Sequence, residues 1–157
     1  MARLAIAFTV ALLSSLTSSV IFAEGTRQFP ELGRVATQME INAWDIAIGP
    51  RGGELPTGSG SVAEGREVYA QYCAYCHGAT GVEGPDNRLV GGQGSLDTDK
   101  PVKTIGSYWP YATTLFDYIS RAMPFPAPGS LTPDQVYAVT AFLLHANDIV
   151  EIGRAHV

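Results

Sequence analysis

Only two cysteines, Cys73 and Cys76, occur among 157 residues, and one short motif uses both, so no thiol is left for a structural disulfide. A structural zinc site needs four ligands. The chain would have to add two more to this motif and has no second cysteine pair to supply them. A thioredoxin-like redox pair wants a βαβ setting, and no such pattern is present. Basic residues are few, 10 against 15 acidic ones, for a formal net charge of −5. Nucleic-acid binding relies on Lys and Arg neutralising phosphates, so this balance argues against that class of partner. Long apolar runs are missing beyond the first 23 residues. A membrane-spanning helix wants about 20 apolar residues, so no membrane span is expected in the rest of the chain. There is no internal repeat.

What is present is Cys73-Ala74-Tyr75-Cys76-His77. A C-x-x-C-H run reads as a c-type haem attachment site. Two thiols three positions apart on a helical turn can each add to a haem vinyl group. The next residue, His77, then lies beneath the iron, and histidine is a normal proximal haem ligand. The motif occurs once, which implies one covalent haem c.

Residues 1–23 have the features of a secretory signal: one charge, Arg3, then the apolar run Leu4 to Leu13, a Ser/Thr-rich stretch, and a small residue, Ala23, at the cut. A cut near Ala23 leaves 134 residues with a formal charge of −6, because Arg3 is lost. Export agrees with the motif, since bacteria attach haem covalently outside the cytoplasmic membrane. The expected location is the periplasm.

Residues 24–60 form an extension before the haem domain. Thr37 to Ile46 reads as a short helix, with Thr37 and Glu40 as a capping box and with Ile41 and Trp44 on one apolar face. The stretch from Gly49 to Gly60 holds five glycines and two prolines and reads as loop. The extension is either a strap over the domain or a partner-docking arm. Ser61 and Glu64 cap the first firm helix, in which Val62, Tyr69, Tyr72 and Cys73 recur at helical spacing. Gly65 inside it marks close approach of another backbone. Six glycines between Gly78 and Gly94 forbid a long helix there and imply a loop around the proximal haem face. Leu89 and Val90 are its apolar contacts, and Arg88 is an exposed cation.

A helix is expected over Ala112 to Ala122, with Leu115, Phe116, Ile119 and Ala122 as its apolar stripe. For Tyr108, Trp109 and Tyr111 before it, the plain reading is core packing. Trp109 has a second possibility, because a buried indole N–H needs a partner and a haem propionate would serve. Three prolines between 124 and 128 imply extended chain after this helix. Met123, at the head of that segment, is the candidate for the second axial ligand. The alternative is a core gap-filler. Met39, His145 and His156 are weaker candidates. Thr132, Pro133 and Gln135 open a last helix that buries Val136, Val139, Phe142 and Leu143 and ends near Ala146 or Asn147. Ile149 to Val157 reads as irregular.

From Ser61 to about Val150 these residues resemble the class I c-type cytochromes. Gly65, Tyr69 and Cys73 match that family's glycine, aromatic and first cysteine at successive spacings of four. In the family this helix crosses the last one at the glycine, and Val139 and Phe142 match the crossing residues there. The family's distal methionine maps onto Met123. Asn87-Arg88-Leu89-Val90-Gly91 stands where the family has Pro-x-Leu-x-Gly, which leaves the acceptor for the His77 ring N–H open. A narrower likeness rests on Gly33 to Thr37, Ala43 to Ile46, Lys103 to Ala112 and Arg121 to Phe125. These runs look like the cytochrome subunits of bacterial sulfite dehydrogenases and Sox-type sulfane dehydrogenases.

The resemblance implies an all-α class I cytochrome c fold over residues 61–150, followed by a tail at 151–157. It implies a mono-haem carrier of single electrons, not an enzyme by itself. A molybdopterin-containing dehydrogenase subunit would be the donor, and a downstream cytochrome or oxidase the acceptor. The site residues are Cys73, Cys76, His77, Met123 and Trp109, with His77 and Met123 on the metal. A free-standing periplasmic shuttle is the alternative, and a haem sensor or peroxidase with an open iron site a further one.

Overall fold

The computed structural model describes residues 33–151. Residues 1–23, where a secretory signal is expected, residues 24–32 of the extension and the tail from 152 on, with His156, lie outside the described residues. The chain divides after Thr37 into two units, and everything below concerns the second, which starts at Gln38. Its described residues form five helices and no strand: α1 (Gln38–Trp44), α2 (Val62–Tyr72), α3 (Ala74–His77), α4 (Ala112–Ala122) and α5 (Pro133–Ala146). This is the all-α architecture the resemblance implies. None of the described helices is long and apolar enough to cross a membrane.

Two capping boxes set the starts of the helices that build the core. The Ser61 side chain accepts from the Glu64 N–H while the Glu64 carboxylate accepts from the Ser61 N–H, and Thr132 and Gln135 repeat the arrangement with Pro133 at the first position. Each box satisfies donors that a helix start leaves without an internal partner. α2 crosses α5 at Gly65. A Cβ at Gly65 would lie 1.9 Å from the Ala138 carbonyl oxygen, so only glycine lets the backbones meet. Beside that crossing Tyr69 and Phe142 pack with ring centroids 5.0 Å apart. α4 closes the other flank, where Phe116 packs on Tyr137 at 4.6 Å. Leu115, Phe116 and Ile119 are buried as expected, and Ala122 is half-buried. α5 is buried more fully than a single face, from Val136 through Leu144. Burying one large apolar side chain is worth about 1.5–3 kcal/mol, so this helix is the main source of core stability.

The extension has two characters. From Ile48 on it is a strap. The Ile48 N–H donates to Asp117 Oδ1 at 3.1 Å, Thr113 Oγ1 donates to the Pro50 carbonyl at 3.4 Å, and the Tyr137 hydroxyl donates to the Pro56 carbonyl at 2.8 Å. The Ser59 N–H donates to Asp134 Oδ1 at 2.8 Å, and Ile48 and Leu55 pack on the core. α1 is different. It buries no residue, Trp44 is 88% exposed and Ile41 is exposed too, so the apolar face expected there faces solvent.

Three local expectations need correction. Cys73 is not part of a continuous helix: at φ −120° and ψ −36° it ends α2 and opens α3. Tyr108 and Tyr111 are exposed rather than core, and only Trp109 of that cluster is half-buried. The segment after Met123 is not extended. The Ala127 N–H donates to the Pro124 carbonyl at 2.9 Å and the Ser130 N–H to the Ala127 carbonyl at 3.3 Å, so it folds into successive turns. Pro fits such turns because its ring presets φ.

Candidate functional site: a haem-binding motif and its supports

The break at Cys73 orients the motif. The Cys73 carbonyl accepts from both the Cys76 N–H, at 3.1 Å, and the His77 N–H, at 3.0 Å, which winds α3 into a single turn. Gly78 ends that turn at φ +83°, and its carbonyl accepts from the Tyr69 hydroxyl at 2.8 Å. The loop then folds back on the motif. The Asp86 N–H donates to the Cys76 carbonyl at 3.0 Å. A Cβ at Gly84 would lie 2.1 Å from that same carbonyl oxygen, so the return requires glycine.

His77 Nδ1 lies 2.7 Å from the Asn87 carbonyl oxygen. A carbonyl only accepts, so Nδ1 carries the proton and Nε2 is left with a free lone pair. Fixing one ring nitrogen this way sets the tautomer and orientation that a metal-bound histidine needs. The acceptor that the sequence left open is therefore Asn87, at the position where the resembled family has proline. Only its backbone is used, which is why the substitution is tolerated.

Both cysteines are half-buried. Burial, with Cys76 beside it, pushes the Cys73 thiol up to about 11. Cys76 is also raised, chiefly by its hydrogen bond to Asp86. Neutral thiols beside an oriented imidazole, at the border of an apolar core, fit a covalently attached haem.

A second layer holds the loop, and sequence reasoning missed it. Asn147, 2% exposed, ends α5. Its Nδ2 donates to the Leu143 carbonyl at 2.8 Å and the Leu89 carbonyl at 3.2 Å, and its Oδ1 accepts from the Gly91 N–H at 2.9 Å. Thr104, equally buried, donates through Oγ1 to the Gly91 carbonyl. An amide residue after an apolar helix is legible as a cap. Its reach to a loop more than fifty positions away is not. In the loop, Leu89 packs on the core, while Arg88 is exposed and donates to the Val90 carbonyl at 2.7 Å.

Met123 caps the end of α4, its N–H donating to the Ile119 carbonyl at 3.1 Å. Its half-buried side chain, with Cys73, Ala74, Leu89, Trp109 and Leu131, packs against the same apolar core. Trp109 meets Tyr118 edge-on, with centroids 5.4 Å apart. The weaker axial candidates stand elsewhere. Met39 is 83% exposed on α1, and His145 Nδ1 is 3.1 Å from the Val150 carbonyl.

The family model of cytochrome c oxidase, cbb3-type, subunit III matches residues 60–143. Among solved structures, a chain in the crystal structure of the sulfane dehydrogenase SoxCD from Paracoccus pantotrophus is 52% identical, with a TM-score of 0.69. The match covers 78% of this chain and 61% of that one, so this chain spans less than two thirds of its relative. No curated protein matches. The family match runs from two residues before α2 into the last turn of α5, over more than half of the sequence, and on that ground the chain belongs to the c-type cytochromes, within the family described as cytochrome c oxidase, cbb3-type, subunit III.

Proposed function

We propose that this cytochrome holds one haem c through Cys73 and Cys76, with His77 and Met123 as axial ligands, and carries single electrons from a molybdenum-cofactor sulfite or sulfane-sulfur dehydrogenase subunit to a downstream cytochrome or oxidase in the periplasm. The haem iron supplies the one-electron chemistry. The protein supplies ligands, a low-dielectric surround and a docking surface. The observation that carries the reading is the commitment of His77 Nδ1 to the Asn87 carbonyl, which leaves Nε2 free for the iron. The dehydrogenase partner is supported by the 52% identity to a chain of a sulfane dehydrogenase. Trp109 is the residue offered to a propionate, because its ring packs at the border of the same apolar core as Met123 and Cys73 and its indole N–H can donate.

The docking element toward that partner is α1, whose Met39, Ile41 and Trp44 are exposed. Trp is enriched among interface hot spots, where truncation costs 2 kcal/mol or more, about thirtyfold in affinity. Trp44→Ala is expected to weaken binding to the molybdenum subunit while leaving the spectrum and melting temperature of the cytochrome unchanged. An unchanged affinity would remove α1 from the interface.

Attachment is tested by acid–organic extraction of the denatured holoprotein, in which the haem is expected to stay with the chain. Haem found in the organic phase would overturn the thioether links. Co-purification with a molybdenum subunit, and electron uptake from it, test the partner. Purification alone, with uptake from unrelated donors only, would favour a free-standing shuttle.

A further inference from the structure

Asp117 lies on α4 and is 9% exposed. Its carboxylate has two partners from two parts of the chain. Oδ1 accepts from the Ile48 N–H of the strap at 3.1 Å, and Oδ2 pairs with the guanidinium of Arg121 in the last turn of α4. Two residues after Arg121 comes Met123. The backbone N–H of Met123 bonds only to that same last turn, at Ile119. Beyond it, the turns at 124–130 bond within themselves, and among the described residues no hydrogen bond ties Phe125 to Ser130 to another element. Beyond the packing of its half-buried side chain on the core, the direction in which Met123 leaves the helix is therefore set by how firmly the end of α4 is held. The Asp117–Arg121 pair is itself a poor source of net stability, because the Arg121 side chain is exposed and water screens such a pair. Its geometry is what apolar residues cannot copy: one carboxylate fixes the strap and the helix end together.

Resting on the reading of Met123 as iron ligand, we propose that Asp117 is the positioning residue of the distal ligand. It locks the last turn of α4 to the Ile48 strap so that the thioether stays on the iron. Without the lock, α4 frays from its C-terminal end and Met123 spends more time away from the metal, which opens the iron to small ligands.

The test uses the full-length ferric holoprotein and imidazole as the competing ligand, with the near-infrared sulfur-to-iron band and the melting temperature as parallel readouts. Asp117→Ala is expected to raise imidazole affinity roughly tenfold, equivalent to about 1.4 kcal/mol, and to weaken the band. Asp117→Asn keeps an oxygen for Ile48 and loses the charge facing Arg121. It and Arg121→Gln are expected to give the same smaller rise. A fall in melting temperature with imidazole affinity unchanged would make Asp117 structural only and overturn the proposal. If Asp117→Ala does not fold, unchanged affinity in both Asp117→Asn and Arg121→Gln overturns it equally. Absence of the band from the wild-type protein would sink Met123 as ligand and the proposal with it. A wild-type band that the variants leave intact, along with their imidazole affinity, would sink the positioning role alone.

Discussion

His77 is held by a loop that returns to it, whereas Met123 projects from the end of a helix. Around His77 the supports are many and close. The Asn87 carbonyl fixes the ring, the Asp86 N–H bonds the Cys76 carbonyl, Gly84 lets the loop close, and Asn147 pins Leu89 and Gly91 from α5. Around Met123 the hydrogen bonds are few: one backbone bond to Ile119, and Asp117 linking the helix to the strap, beside the packing of its half-buried side chain on the core. Loss of one bond on the histidine side leaves others in place. Loss of one on the methionine side is expected to change ligation. If His77 and Met123 are the axial ligands proposed above, the first is built for permanence and the second for adjustment.

The largest expected effect removes the frame both sides share. Gly65→Val places side-chain carbons against the Ala138 carbonyl at the α2–α5 crossing. Overpacking typically costs about 1–3 kcal/mol, and contact with backbone puts this change at the upper end, about 3 kcal/mol. Thermal unfolding checks it. A melting temperature equal to wild type would show that the two helices part at little cost, and the proximal side would lose its claim to a rigid base.

Asn147→Ala strikes the histidine side alone. It leaves the Leu143 carbonyl and the Gly91 N–H without their Asn147 partner, while the Leu89 carbonyl keeps only the Ile105 N–H, and an orphaned buried polar group costs about 1–3 kcal/mol. We expect about 2 kcal/mol in denaturant unfolding, with the near-infrared band retained because Met123 is untouched. Loss of the band would mean that the two sides are not independent.

Met123→Ala strikes the other side. Truncating a buried methionine costs about 2–5 kcal/mol, and a half-buried one should cost about 1 kcal/mol. The ligation effect should exceed the fold effect: the band vanishes, small ligands bind, and the potential falls, since thioether ligation raises it. A band that survives in Met123→Ala would transfer the ligand role to Met39.

The smallest effect lies in the loop after the motif. Hydrogen bonds from Thr80 and Val82 hold the Glu83 carboxyl down at about 2, from its ordinary 4.5. A depressed carboxylate stabilises the folded loop above its unfolded value, and that contribution disappears as pH falls through the folded one. Protection of the Thr80 and Val82 amides, measured against the intrinsic exchange rate at each pH, should therefore fall in the wild type as pH drops from 4.5 to 2. In Glu83→Gln the same window should be flat. Equal pH dependence in both proteins would show that Glu83 does not hold the loop.

Much of this architecture is legible in the amino-acid sequence itself. Cys73, Cys76 and His77 announce themselves because thioether chemistry demands a fixed local spacing. The bounds of α4 and α5 follow from short-range signals, the apolar stripe at Leu115, Phe116 and Ile119 and the Thr132–Gln135 box. Gly65 reads as a point of close approach because a glycine inside a helix needs such a reason. Tertiary structure alone decided which side chains meet across the chain. The sequence does not show that the Asn87 carbonyl would receive the His77 proton, that Asn147 would reach back to Leu89, or that Asp117 would hold both Ile48 and Arg121. Nor does it show that Trp44 would be exposed while Ile48, four residues on, packs on the core. Local spacing encodes what one turn of backbone can satisfy. A hydrogen bond between residues sixty positions apart exists only once hydrophobic burial has brought their helices together, so its partners have no pattern along the chain.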